Sequence, residues 1–206
     1  MLRLGIIGCG RVTSMFHLKA IDQIDEISVT GLSDVNEERM GEIEESCGSP
    51  DTYLDYRDLL SDPDIDAVAV NTPPRFHASI VLDALNAGKH VLCEKPLAET
   101  LEDCYKIREV QQETGLTVLP AHNYAFTPSL VEMIRRVQGG AIGDITSIDV
   151  AFENLLKSYR SQTDFRETKE DGVLEDVLPH ILSVLYPLVG HIKEIGPVHW
   201  WCKEYD

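Results

Sequence analysis

The stretch Leu4-Gly5-Ile6-Ile7-Gly8-Cys9-Gly10-Arg11-Val12 decides the fold. Its apolar start reads as a buried strand, which breaks into Gly8-x-Gly10 and then a polar, helix-compatible stretch to Asp22. Gly8 permits a tight turn, and Gly10 lets backbone N–H groups come close to a diphosphate. The helix after the turn offers its unpaired N–H groups and positive dipole end to that anion. A second apolar run, Ile27 to Leu32, leads to Asp34. It lies about twenty residues beyond the turn, where a dinucleotide-binding βαβ unit carries its ribose-reading carboxylate. Thr13 stands where a third small residue usually packs helix against strand. That substitution predicts looser packing there, with the phosphate site kept.

The alternation continues along the chain. Residues 36–47 read as a helix ended near Gly48-Ser49-Pro50, and Asp55 to Leu60 as a short helix. Ile65 to Val70 is apolar enough for a strand buried on both faces. Phe76 to Ala87 has helical spacing, His90 to Cys93 reads as a strand, Leu101 to Thr114 as a helix and Leu116 to Leu119 as a last strand. Strands alternating with helices of these lengths predict an α/β fold, a doubly wound parallel sheet of Rossmann type over residues 1–120.

Residues 121–206 change character and predict a partial second domain of α+β type. Pro128 to Val137 reads as a helix, Ile145 to Phe152 alternates as a strand, and Val173 to Leu188 is a helix interrupted by Pro179. Ile192 to Trp201 reads as one or two strands. So few elements leave the second domain unfinished, because a two-stranded piece is marginal without further strands.

Composition narrows the function. The chain of 206 residues carries 18 Lys+Arg against 35 Asp+Glu, a formal net charge of -17. Such a field repels nucleic acid and anionic membranes, and no basic cluster offsets it. The 5 cysteines are scattered without a C-x-x-C pair, which gives neither a disulfide framework nor a metal site. A reducing, cytoplasmic setting is expected, since the N-terminus enters a strand directly and no apolar run would cross a bilayer.

Other residues carry chemistry at predicted strand ends. Asn71-Thr72-Pro73-Pro74 follows the third apolar run, with His77 one turn on. Ligands of doubly wound sheets bind outside the carboxyl ends of strands, so this loop faces the cofactor. Thr72 capping a helix that the prolines start is the plainer reading, and both hold at once. Glu94-Lys95-Pro96 follows the next strand, a fixed cationic point able to steady a developing alkoxide, or a surface charge pair. Asp176 and His180 lie four apart on one helix face, as an acid beside a proton acceptor or as a surface aspartate and a core histidine.

Taken in order, Gly8-Cys9-Gly10, Asp34, Asn71-Thr72-Pro73-Pro74 with His77, Ala87-Gly88-Lys89-His90-Val91-Leu92-Cys93-Glu94-Lys95-Pro96-Leu97, Asn123-Tyr124 and Asp176-x-x-x-His180 resemble the glucose-fructose oxidoreductase, inositol dehydrogenase and MocA family. The resemblance implies an NAD(P)-dependent dehydrogenase that moves hydride between a nicotinamide and a hydroxyl carbon of a sugar, cyclitol or related polyol. It implies that Lys95 binds the substrate hydroxyl, His180 takes its proton and Asp176 orients the substrate. Gly8, Cys9, Gly10, Arg11 and Val12 would cradle the diphosphate, with Asp34 on the adenosine ribose. Asn71, Thr72, Pro73, His77, Glu94, Lys95 and Asn123 would line the rest of the cofactor cleft. Asp34 favours NAD over NADP, because a carboxylate repels a 2′-phosphate.

Three departures stand out. Ala125 replaces a frequent arginine, Leu178-Pro179 replaces smaller residues between the acid and the histidine, and the chain is short for the family. A homo-oligomer or a completing partner chain is therefore expected. A cofactor-binding module without catalysis is the alternative reading.

Overall fold

A computed structural model describes residues 1–152, 172–194 and 196, with side chains described from Asp176 onward in the last helix. The chain divides into two compact units, Met1–Ala121 and His122–Asp206.

The first unit begins with β1, Leu2–Ile7. A helical segment then runs over residues 11–21, made of a π-turn at Thr13–His17 and then α1, Leu18–Ile21. Next come β2 (Ile27–Ser33), α2 (Glu37–Glu44), β3 (Asp51–Tyr53) and α3 (Tyr56–Ser61). The unit closes with β4 (Ala67–Val70), α4 (His77–Asn86), β5 (His90–Cys93), α5 (Leu101–Thr114) and β6 (Val118–Pro120). The six strands form one parallel sheet in the order β3-β2-β1-β4-β5-β6. Strand order reverses between β1 and β4, which opens a crevice at their carboxyl ends.

Period-two alternation divides the core between the faces of this sheet. Val68 and Val70 join Leu59, Ile80, Val81, Leu85 and Ile107 on the side covered by α3, α4 and α5. Ala67 and Ala69 join Leu4, Ile6, Leu32, Met40 and Ile43 on the side covered by α1 and α2. Local chemistry sets the helix ends. Asn36, Asp55 and Thr100 accept N–H groups from Arg39, Arg57 and Asp103, and Gly115 closes α5 in the left-handed conformation.

At the amino ends of the strands, Arg3 holds Asp66 through its backbone N–H (2.9 Å), Nε (3.0 Å) and Nη2 (2.7 Å). That bond keeps the Asp66 carboxyl well below the usual carboxylate range. Lys89 is buried beside it and donates to the carbonyls of Asp62 and Ile65, each at 2.7 Å.

β3 is absent from the sequence reading, because Asp51-Thr52-Tyr53 is short, largely exposed and carries no apolar run. In the second unit, α6 spans Pro128–Gln138 and α7 spans Gly172–Val189. α7 continues through both Pro179 and Pro187, contrary to the interruption expected at Pro179. A proline removes one backbone donor, and the turns on either side carry the helix across it. The strand expected at Ile145 to Phe152 is not seen among the described residues, where 145–152 carry no regular structure. Residues 192–194 have no regular structure either. The remainder of the strand expected there, apart from Gly196, lies outside the described residues.

Candidate functional site: a dinucleotide cleft at the strand ends

The loops at the carboxyl edge of the sheet are fixed by a common device. Each begins with an N–H that donates to the last carbonyl of the neighbouring strand. Gly8 donates to Ser33 (2.8 Å), Asn71 to Ile7 (2.8 Å), Glu94 to Val70 (2.9 Å) and Ala121 to Cys93 (2.7 Å). The ladder thus continues one step beyond the strands, and the loops start from set positions.

The glycine turn fits its sequence reading. Gly8 has φ +99°, and a Cβ there would lie 2.8 Å from the Asn71 carbonyl carbon and 2.9 Å from the Thr72 nitrogen. Only glycine fits between β1 and the β4 loop. At Gly10 a Cβ would meet nothing within 4 Å, so the outer face of the turn is open to a ligand. Cys9 is buried, and burial together with the nearby Asp34 charge pushes its thiol up to about 12. The thiol is therefore an inert packing group, and the backbone of Cys9 serves the turn. Arg11 and Val12 begin the helical segment and are exposed, with Arg11 Nε donating to Met15 Sδ at 2.8 Å.

Thr13 corrects the expectation of looser packing. It is 0% exposed, donates to the Gly8 carbonyl at 2.6 Å and accepts Asn71 Nδ2 at 3.0 Å. The hydroxyl joins the turn, the helical segment and the β4 loop, a role no third glycine would fill.

Asp34 stands at the tip of β2 with both oxygens engaged, Oδ2 on the Cys9 N–H (2.8 Å) and Oδ1 on the Asn36 N–H (2.9 Å). Thr72 does not cap α4. Its Oγ1 is buried without a partner, as is Asn71 Oδ1. Orphaned oxygens at a ligand crevice, an open glycine face and a fixed carboxylate fit a dinucleotide. Pro73 is exposed beside them. His77 is buried, with Nδ1 2.7 Å from the Pro96 carbonyl and Nε2 2.7 Å from the Thr72 carbonyl. It joins the β4 loop to the β5 loop from behind.

Glu94 and Lys95 follow β5, and Lys95 is half-buried. Glu94 Oε1 lies 2.9 Å from His17 Nε2, and Oε2 accepts the Lys95 N–H at 3.3 Å. Burial alone would raise the Glu94 carboxyl, but His17 and the Lys95 N–H and charge hold it below its ordinary value. The Lys95–Pro96 peptide bond is cis. His17 was invisible to sequence reasoning, since no spacing rule connects it to Glu94.

In the second unit, Asn123 opens a 3₁₀ turn, Asn123–Phe126, and is exposed. Asp176 and His180 lie one turn apart on α7. The His180 ring stacks parallel to Phe152 (centroids 5.9 Å, 2°) and meets Tyr124 edge-on (4.8 Å, 81°). This group of rings was also missed, because its three members come from separate segments. Among the described residues no group of His, Cys, Asp or Glu could hold a metal ion. None of the described helices is long and apolar enough to cross a membrane.

A dinucleotide-binding Rossmann domain is what this fold and crevice define. The Gfo/Idh/MocA model, described as an oxidoreductase family with an NAD-binding Rossmann fold, matches residues 2–122. The chain belongs to that family. It is 33% identical over 155 residues to the myo-inositol 2-dehydrogenase of Thermotoga maritima, covering 73% of this chain and 46% of that one. It is 30% identical over 174 residues to the levoglucosan dehydrogenase of Pseudarthrobacter phenanthrenivorans, covering 81% and 44%. Among solved structures, KijD10, a 3-ketoreductase from Actinomadura kijaniata in complex with NADP, is similar with a TM-score of 0.63 and 30% identity over 70% of this chain and 44% of that one. The myo-inositol 2-dehydrogenase of Lactobacillus plantarum shares the fold, with a TM-score of 0.78 at 23% identity over 92% and 56%. The chain spans about half the length of the curated relatives it matches.

Proposed function

We propose that this chain is an NAD-dependent dehydrogenase acting on a hydroxyl carbon of a sugar, cyclitol or related polyol. The observation that carries the reading is the open face of Gly10 beside Asp34, whose carboxylate is fixed by the Cys9 N–H. A fixed negative charge there disfavours a 2′-phosphate and so favours NAD over NADP. One solved relative, KijD10, holds NADP.

In this reading the bound nicotinamide supplies the hydride-accepting chemistry, and the chain supplies the rest. The N–H groups at the start of the helical segment grip the diphosphate with Gly8, Cys9, Gly10, Arg11 and Val12 around it. Asn71, Thr72, Pro73 and Glu94 line the remaining cleft, His77 holds two of its loops, and Asn123 is the second unit's candidate for the cofactor. The Lys95 ammonium holds the substrate oxygen and steadies its developing charge. His180 Nε2 accepts the hydroxyl proton, and Asp176 orients the substrate. The relatives' activities on myo-inositol and levoglucosan support a polyhydroxylated ring as substrate.

Calorimetric titration with NADH and NADPH, followed by a turnover screen over cyclitols, sugars and sugar acids, tests the reading. NADH binding tighter than NADPH, and turnover that Lys95→Ala lowers by about 10²–10³-fold, are the expected results. A folded chain that binds neither nucleotide overturns the reading. Binding without turnover of any polyol favours the alternative, a cofactor-binding module.

A further inference from the structure

We propose that His17 is a positioning residue of the cofactor site, acting through Glu94 to lock the Lys95 loop to the helical segment behind the glycine turn. This role rests on the reading of the crevice as an NAD(H) site.

The π-turn Thr13–His17 lies directly behind the glycine turn. A π-turn places an extra residue in the helical repeat and so rotates the later residues about the helix axis, and such turns concentrate at functional sites. Here the turn ends on His17, whose ring reaches β5's loop and meets Glu94 at 2.9 Å. Both side chains are largely shielded, 12% and 22% exposed. Placing a carboxylate in such surroundings is costly unless it is paired, and a shielded pair adds little net stability. What it provides instead is placement.

Glu94 is pinned at each end. Its own N–H donates to Val70 at 2.9 Å, Oε1 faces His17, and Oε2 accepts the N–H of Lys95 at 3.3 Å. The Lys95 backbone is therefore tied, through one carboxylate, to the segment whose amino end grips the diphosphate. His17 touches neither cofactor nor substrate in this scheme. It makes the phosphate end and the lysine end of the cleft one rigid unit.

The test compares the full chain with His17→Leu and His17→Gln by amide hydrogen exchange at Lys95, NADH calorimetry and thermal melting. His17→Leu removes the donor, and Lys95 exchange should quicken and NADH binding weaken, each by about tenfold, the loss of one such hydrogen bond. His17→Gln keeps an N–H donor at nearly the Nε2 position and should restore most of both. Should His17→Leu fail to fold, His17→Asn, whose amide is too short to reach Glu94, takes its place. Unchanged Lys95 exchange in a folded His17→Leu, or no recovery in His17→Gln, overturns the role while NADH binding by the wild type stands. A wild type that ignores NADH overturns the underlying cofactor reading, and with it this role.

Discussion

Asp34 Oδ2 accepts the backbone N–H of Cys9 at 2.8 Å, so the acid proposed to read the ribose is built into the glycine turn proposed to grip the diphosphate. Charge and the Cys9 contact can be separated at this residue. Asp34→Asn retains an acceptor for Cys9 and loses the negative charge. NADPH affinity should rise relative to NADH by about tenfold, the scale of one charge-assisted contact, and the melting temperature should fall because the amide NH2 cannot accept the Asn36 N–H. Parallel calorimetric titrations of both nucleotides check this.

Gly8 has no room for a side chain and a φ that only glycine adopts freely. Gly8→Ala should cost about 1–3 kcal/mol from backbone strain alone, and the contact with Asn71 adds to it. Denaturant unfolding measures the loss. Gly10→Ala, with open space around its Cβ, should fold normally and lose nucleotide affinity. That contrast separates the structural glycine from the ligand-facing one.

Thr13→Val keeps the shape and removes the hydroxyl that serves Gly8 and Asn71. It strands the buried Asn71 amide, at a cost of about 1–3 kcal/mol. Chemical denaturation should show the loss, and Thr13→Ser should recover most of it.

Asp66 has its folded-state carboxyl held far below the ordinary range by Arg3. A lowered folded value means stability that is present above the unfolded carboxyl's titration and lost as pH falls through the folded one. Asp66→Asn should therefore melt lower than wild type near neutrality, with the gap shrinking steadily below about pH 4. Melting temperatures across about pH 2–7 test the sign.

Much of this molecule was readable from residue order. The run Ala67-Val68-Ala69-Val70 announces a strand covered on both faces, and Gly8, Asp34 and Glu94 sit at strand ends because such a sheet places its ligands there. What escaped reading depends on tertiary partners. Asp51–Tyr53 becomes a strand only because β2 offers it an edge. The alternation from Ile145 to Phe152 finds no such edge among the described residues and forms no strand there. Thr13 looked like a flaw in a glycine motif until Asn71, distant in sequence, supplied its partner. His17 carries no signal at all, because a π-turn breaks the helical spacing that would have assigned it a face.

The extra rung by which Gly8, Asn71, Glu94 and Ala121 hang on adjacent strands has a consequence for how such a protein diversifies. Side chains beyond that rung can be exchanged without altering the gaps between the loops. New chemistry can then be tried on an inherited frame, provided the sheet and the buried ties made by Thr13 and His77 are kept.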